Sequence, residues 1–474
     1  MQSTARLITL GVLAIACSAQ VSCTQSTAEE PFAGIVPTSA AAPPAMKTAA
    51  GEAPKKVTDV TSAVRQAVNW HPKIAEAAAR AGQQREAINE AKSGYLPSVG
   101  GGIGFGAETG DNRSWSPKFN LSASQMVYDF GKVSNRIDAQ SAVYDARQAE
   151  LLTTVDEIIR DVVISAVEIL RNGELAQVAE DQINDVQAIE RLVEARTDRG
   201  ASTRSDKLQA EARVQAAQST ALELSAQKQR WQSMLATVTG STVPPQIGRS
   251  LPKPVSRACG SAAPIWNNVP AVIAARSRMT EAEARLRLAR SEVLPTVALE
   301  ASSQFDILDG NSDPDYLVGL RLRGDLYNGG AFKAQQNAAR LGAQAAASAT
   351  AAATYDVQRI WLQSATQVRS LEALQKSLST REVMMRETRD LYQKQFLDLG
   401  TRTLLDVLNA DQELHVARFD EINTRYDLYK LNVECAYAAG RLRELFGLTS
   451  APQHVVASDR ASISTASRVA ATRD

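Results

Sequence analysis

Few residues in this chain have types and spacings that could do chemistry. It holds three histidines, His71, His415 and His454, and four cysteines, Cys17, Cys23, Cys259 and Cys435. His71 precedes Pro72 at a helix start, His415 stands in a charged helical stretch, and His454 lies in a Ser/Ala-rich tail. No Cys or His cluster has metal-ligand spacing, so no metal or cofactor is expected. The run Gly100-Gly-Gly-Ile-Gly104 reads as close-packed strand rather than a phosphate-cradling loop. The chain does not read as an enzyme. Lys+Arg and Asp+Glu both number 52, so no general basic field exists to draw nucleic acid.

The remaining chemistry is that of a secreted chain. Residues 1–23 have the layout of a secretory signal, with Arg6, the apolar run Leu7 to Ala16 and then small residues. Cys17 after Ala16 resembles a lipoprotein box in which Ala14 replaces the usual Leu, and Cys17-Ser18-Ala19 suits ordinary cleavage. Lipidation at Cys17 or Cys23 stays open, as does the choice between a disulfide and two free thiols for Cys259 and Cys435. No later segment has the roughly 20 apolar residues of a membrane-spanning helix, so any membrane crossing must use strands.

The elements that would position such residues are laid out twice. Pro72 and Pro97 are 25 residues apart, as are Pro270 and Pro295. Tyr128-Asp-Phe-Gly131 corresponds to Tyr327-Asn-Gly-Gly330, Val155 to Val357, and Gly200, Asp206, Leu208 and Ala210 to Gly400, Asp406, Leu408 and Ala410, at offsets between 198 and 202. An ordered series at near-constant offset indicates tandem duplication.

Each half reads as helix, two strands, long helix, turn, helix. The first repeat is assigned to 58–240, with strands at about 98–107 and 117–127. The second is assigned to 267–447, with strands at about 296–305 and 315–326. Helices are expected over 58–94, 131–197, 203–238, 267–291, 330–396 and 402–446. Residues 24–57 and 448–474 read as disordered tails and 241–266 as a linker. The strands alternate apolar with small or polar residues and have the length of transmembrane β-strands. The 67-residue helices carry heptad-like spacing, for example Val357, Ile360, Ser364 and Val368, and would each run about 100 Å. Four strands cannot satisfy their own edges in lipid. The fold class is therefore mainly α with β, and a barrel shared between subunits is expected, twelve strands in a trimer, continued by an α-helical barrel. Glu300, Arg321 and Arg323 would face its water-filled lumen.

Four motifs carry a family resemblance over about residues 58–447. These are the duplication, Tyr95-Leu-Pro97, Val127-Tyr-Asp-Phe-Gly131, and Leu399-Gly-Thr-Arg-Thr-Leu-Leu-Asp-Val-Leu408. Together they resemble the TolC family of outer-membrane efflux and secretion proteins. The resemblance implies a homotrimer in outer-membrane lipid that extends into the periplasm. It would dock with a periplasmic adaptor (membrane fusion protein) and an inner-membrane ABC or RND transporter. It also implies roles at the helix turns. Arg402 matches an arginine that tethers neighbouring tips, Asp206 with Ser205 matches its acceptor, and Asp406 matches the first of two aspartates ringing the entrance, the second being Asn409 here. Gly200, Thr203, Gly400 and Thr401 would form the adaptor-docking turns. The function implied is an exit duct for tripartite efflux or type I secretion, gated at these tips. The indistinct lipid box leans toward the secretion branch. The alternative is a periplasmic coiled-coil adaptor or rod, which would not need two amphipathic hairpins.

Overall fold

The computed structural model describes residues 57–107, 115–248, 251, 255–260, 263–306 and 315–448. The expected signal region with Cys17 and Cys23, the segment up to residue 56, residues 108–114 and 307–314, and the end of the chain with His454 lie outside the described residues. In order, the elements are β1 (Val57–Thr58), α1 (Val60–Trp70), α2 (Pro72–Ser93), β2 (Ser98–Ala107), β3 (Trp115–Tyr128), α3 (Lys132–Asp198) and α4 (Arg204–Thr239). They continue with β4 (Gln246–Ile247), α5 (Pro270–Ser291), β5 (Thr296–Asp306), β6 (Asp315–Arg323), α6 (Ala331–Lys394), α7 (Leu404–Ala438) and α8 (Leu442–Leu445).

Prolines punctuate the chain where their fixed φ and missing N–H fit. Pro72 and Pro270 each sit at the first turn of a helix. The single helix expected over 58–94 is accordingly two, because His71 is extended (φ −66°, ψ 125°) ahead of Pro72 and its side chain accepts from the Lys73 N–H. The helix expected over 402–446 breaks at Gly440, whose φ is +66°. The Tyr-Asp-Phe-Gly motif turns strand into helix. The Asp129 carboxylate accepts from the Gly131 and Val133 N–H groups at 2.9 and 2.6 Å, and Gly131 takes the left-handed conformation at φ 87°. Asn328 and Gly330 repeat the turn in the second half, with the Phe332 N–H donating to Asn328 at 3.3 Å.

The described residues of the expected inter-repeat linker, 241–266, include ordered elements. Gln246 and Ile247 pair in parallel with Val57 and Thr58. The 3-10 segment Val255–Gly260 is joined to α7 by a Cys259–Cys435 disulfide, and the Asn432 side chain accepts from the Cys259 N–H. Backbone groups brought against packed helices need partners, which is why this stretch is not loose.

The four long strands form one antiparallel sheet in the order β2-β3-β5-β6, so the two hairpins meet through β3 and β5. Register puts Gly100, Ser122 and Ser302 in one row and Ser98, Ser124 and Glu300 in the next. The opposite face carries Val99, Ile103, Leu121, Val318, Leu320 and Leu322, all strongly exposed. Strand β3 starts earlier than 117, and β6 stops at Arg323 rather than 326. There Gly324 comes so close to Pro295 that an added Cβ would stand 3.1 Å from it. No helix among the described residues is long and apolar enough to cross a membrane.

The two long helices lack proline throughout but are used differently. Helix α3 packs on α1, α2, α4, α5 and α7. Val60, Val64, Ile159, Val163, Leu235, Val433 and Leu442 close the main core around it, each worth about 1.5–3 kcal/mol of apolar burial. Helix α6 packs on α5 and α7 and buries Val357, Ser364, Val368 and Leu378. It leaves Tyr355, Leu362, Leu374, Val383, Met384 and Leu391 exposed. A smaller core of Val193, Val214, Leu404, Leu408 and Phe396 lies near the far ends of α3 and α6.

Candidate functional site: the helix tips and the strand face

Both tips are built by one local recipe. Helix α3 is followed by Gly200 (φ 70°), and a π-turn over Gln395–Leu399 after α6 is followed by Gly400 (φ 63°). Each is a left-handed position that suits glycine. Each returning helix then begins with a capping box. Thr203 Oγ1 accepts from the Asp206 N–H at 3.1 Å while the Asp206 carboxylate accepts from the Thr203 N–H at 2.9 Å. Thr403 and Asp406 repeat this at 3.2 and 3.0 Å, and the Thr403 hydroxyl also donates to Asp406. These bonds, led by the one from each threonine's backbone N–H, hold both carboxyls below the usual carboxylate range.

The tip residues divide between these local tasks and open surface. Gly200, Thr203, Gly400, Thr401 and Ser205 are exposed. Within one protomer Arg402 is not paired with Asp206. Its Nε donates to Gln395 at 3.2 Å and its guanidinium lies 4.2 Å from the Tyr392 ring centroid, while Asp206 accepts from Thr203 and Ser202. Asn409 accepts from Arg213 on α4 at 3.3 Å, and Arg213 also donates to Gln412. Arg213 and Tyr392 were missed from sequence, since neither belongs to the turn motif itself.

On the sheet, Glu300 and Arg321 are ion-paired at 3.0 Å. Arg323 follows Arg321 on the same face of β6, the face shared with Ser122, Ser302 and the alternating glycines of β2. The three charged strand residues therefore lie opposite the apolar side.

Sequence spacing missed one further cluster. His415, expected to stand in a charged helical stretch, is fully buried. It faces Asp411 one turn earlier on α7 and Asp185 on α3, with its Nε2 3.7 Å from Asp411 and 3.2 Å from Asp185. Burial opposes a charge on this imidazole, but the hydrogen bond with Asp185 and the nearby carboxylate of Asp411 outweigh it and raise the pKa. Asp411 and His415 are four apart on one helical face. The third member comes from 226 positions upstream of Asp411, a proximity only folding creates.

The family model described as outer membrane efflux protein matches residues 63–241 and 265–441, one match for each repeat. The outer membrane efflux protein BepC of Brucella suis is 23% identical over 374 residues, 76% of this chain and 80% of BepC. The pyoverdine export outer membrane protein OpmQ of Pseudomonas putida is 24% identical over 355 residues, covering 70% and 72%. Among solved structures, the outer-membrane channel OprN superposes with a TM-score of 0.70 at 19% identity, covering 80% of this chain and 89% of that one. VceC from Vibrio cholerae superposes with a TM-score of 0.71 at 18% identity, covering 80% and 96%. The chain belongs to the outer membrane efflux protein family, a TolC-like protein of the outer membrane that extends into the periplasm and serves efflux.

Proposed function

We propose that three copies assemble into a continuous exit duct, a twelve-stranded barrel in the outer membrane prolonged by an α-helical barrel in the periplasm. The supporting observation is the sheet. It has two open edges, β2 and β6, one strongly apolar face, and an opposite face carrying serines, glycines and the Glu300–Arg321 pair. Open edges are untenable in lipid, and pairing β6 of one copy with β2 of the next removes all of them. The apolar face then meets acyl chains and the polar face water. The exposed apolar residues of α6 suit burial between copies. The duct receives cargo from an inner-membrane ABC or RND transporter through a periplasmic adaptor docked on the turns at Gly200, Thr203, Gly400 and Thr401. This is the arrangement of tripartite efflux and of type I secretion. The tips gate it, with Arg402 exchanging its intraprotomer partners for Asp206 and Ser205 of a neighbouring copy, and Asp406 facing the entrance.

Planar-bilayer conductance tests this reading. Wild-type protein is expected to give small steps that grow in Arg402→Ala. Absence of pores from both proteins, when circular dichroism shows them folded, would refute the duct.

A further inference from the structure

The Asp185, Asp411 and His415 cluster has no part in the duct or its tips, yet it holds buried polar atoms without hydrogen-bond partners. Asp411 is 1% exposed and His415 fully buried. Neither Asp411 carboxylate oxygen has a hydrogen-bond partner, nor has His415 Nδ1. A buried carboxylate left without donors costs several kcal/mol in the absence of a counter-charge. The permanent positive charge nearby is Arg389 on α6, whose guanidinium hydrogen-bonds Asp185 at 3.2 Å but stands 3.9 Å from Asp411, too far for a hydrogen bond. Arg389 also has another partner, Asp390, at 2.8 Å.

We propose that Asp185, Asp411 and His415 form a binding site for a divalent transition-metal cation of the zinc class, which ties α3 to α7 behind the helix tips. One oxygen of each aspartate and a ring nitrogen of the histidine lie within 4.8 Å of one another. Donors about 2.0–2.2 Å from a tetrahedral zinc stand roughly 3.4 Å apart. The two histidine–aspartate separations of 3.2 and 3.7 Å are already of that size. The aspartate–aspartate edge is at most 4.8 Å, and Asp185, whose side chain is 37% exposed, has room to close it by giving up its bond to Arg389.

The charges also balance. Two carboxylates neutralise a divalent ion, while Arg389 withdraws from Asp185 and keeps Asp390 as its counter-ion. Mixed nitrogen and oxygen donors select zinc-class ions over calcium or magnesium, which prefer oxygen alone. The site lies about three turns or less from the start of α7, at 1.5 Å per residue. A bound ion would pin that helix against α3. This goes beyond the duct reading, and metal binding can be measured whether or not the protein conducts.

The test uses full-length protein in detergent, stripped with EDTA and titrated with Co2+ or Zn2+ alone. Cobalt should give visible d–d bands that saturate at one ion per protomer and are displaced by zinc. Asp411→Asn and His415→Gln should each weaken binding by more than about tenfold, since even residues behind metal ligands are worth about 10–100-fold. Arg389→Gln should bind several-fold more tightly, because it removes the competing cation. If the buried variants fail to fold, Asp185→Asn and Arg389→Gln carry the test with opposite signs. No cobalt spectrum in wild type, or affinity unchanged in every ligand variant, would overturn the proposal.

Discussion

Removing the Cys259–Cys435 disulfide should destabilise the helical body by an amount set mainly by chain entropy. The bond spans 176 residues, which include the whole second hairpin and α6. Releasing a loop of that length returns entropy to the unfolded chain worth about 5 kcal/mol. Both cysteines are buried, Cys435 fully, so substitution by alanine adds a smaller packing loss of about 1 kcal/mol for each side-chain group removed. Reduction of the wild type isolates the cross-link from that packing loss. Urea unfolding followed by the helical signal at 222 nm, on oxidised wild type, reduced wild type and Cys259→Ala/Cys435→Ala, should show a large drop on reduction. A slightly larger one is expected in the double variant. Two results would refute the reasoning: free thiols titrating in freshly exported protein, or a shift below about 1 kcal/mol on reduction.

Two further outcomes are expected. Burial pushes the Asp156 carboxyl up to about 6 against the pull of Arg443, 2.9 Å away. A folded value above the unfolded one means that its contribution is intact below about pH 4 and is lost as pH rises through about 6, a change of roughly 3 kcal/mol. Thermal melts of wild type should therefore fall between pH 4.5 and 7.5 more steeply than those of Asp156→Asn, and equal slopes would count against it. At the entrance, Asn409→Asp should strengthen block of bilayer currents by a trivalent cation, at about 1 kcal/mol or several-fold per carboxylate in water-like surroundings. Since Arg213 donates to Asn409, the full effect should need Arg213→Gln as well; identical block in the single and double variants would show that Arg213 does not mute the new charge.

Some of this protein is legible one residue at a time. Pro72, Pro97, Pro270 and Pro295 mark element starts because proline fixes φ and lacks a donor wherever it stands. Heptad spacing identifies Val357, Ser364 and Val368, which are among the few residues α6 buries. Strand alternation sorts Glu300, Arg321 and Arg323 onto one face because the side-chain period of a strand is two. The family itself follows from the duplication and the turn motif around Arg402. Resemblance, not spacing, suggested the tip roles, and within one protomer the local chemistry differs: Asp206 and Asp406 cap helices, and Arg402 stays on Tyr392 and Gln395.

The local grammar can be read along the chain: a doubled plan of helices and amphipathic strands, where turns fall, and which strand faces are polar. These depend on near neighbours and on 3.6- and 2-residue periods. Long-range packing, by contrast, sets that β3 joins β5, that Cys259 meets Cys435, and that α3 is enveloped while its repeat partner α6 keeps an apolar face open. It alone placed Asp185 beside Asp411 and His415. Each of these joins residues about 170 or more positions apart, or sets how many neighbours surround a helix, and no periodic pattern along a chain encodes such distances. They arise when long helices choose which ridges to share, a choice made by the packing of all of them together.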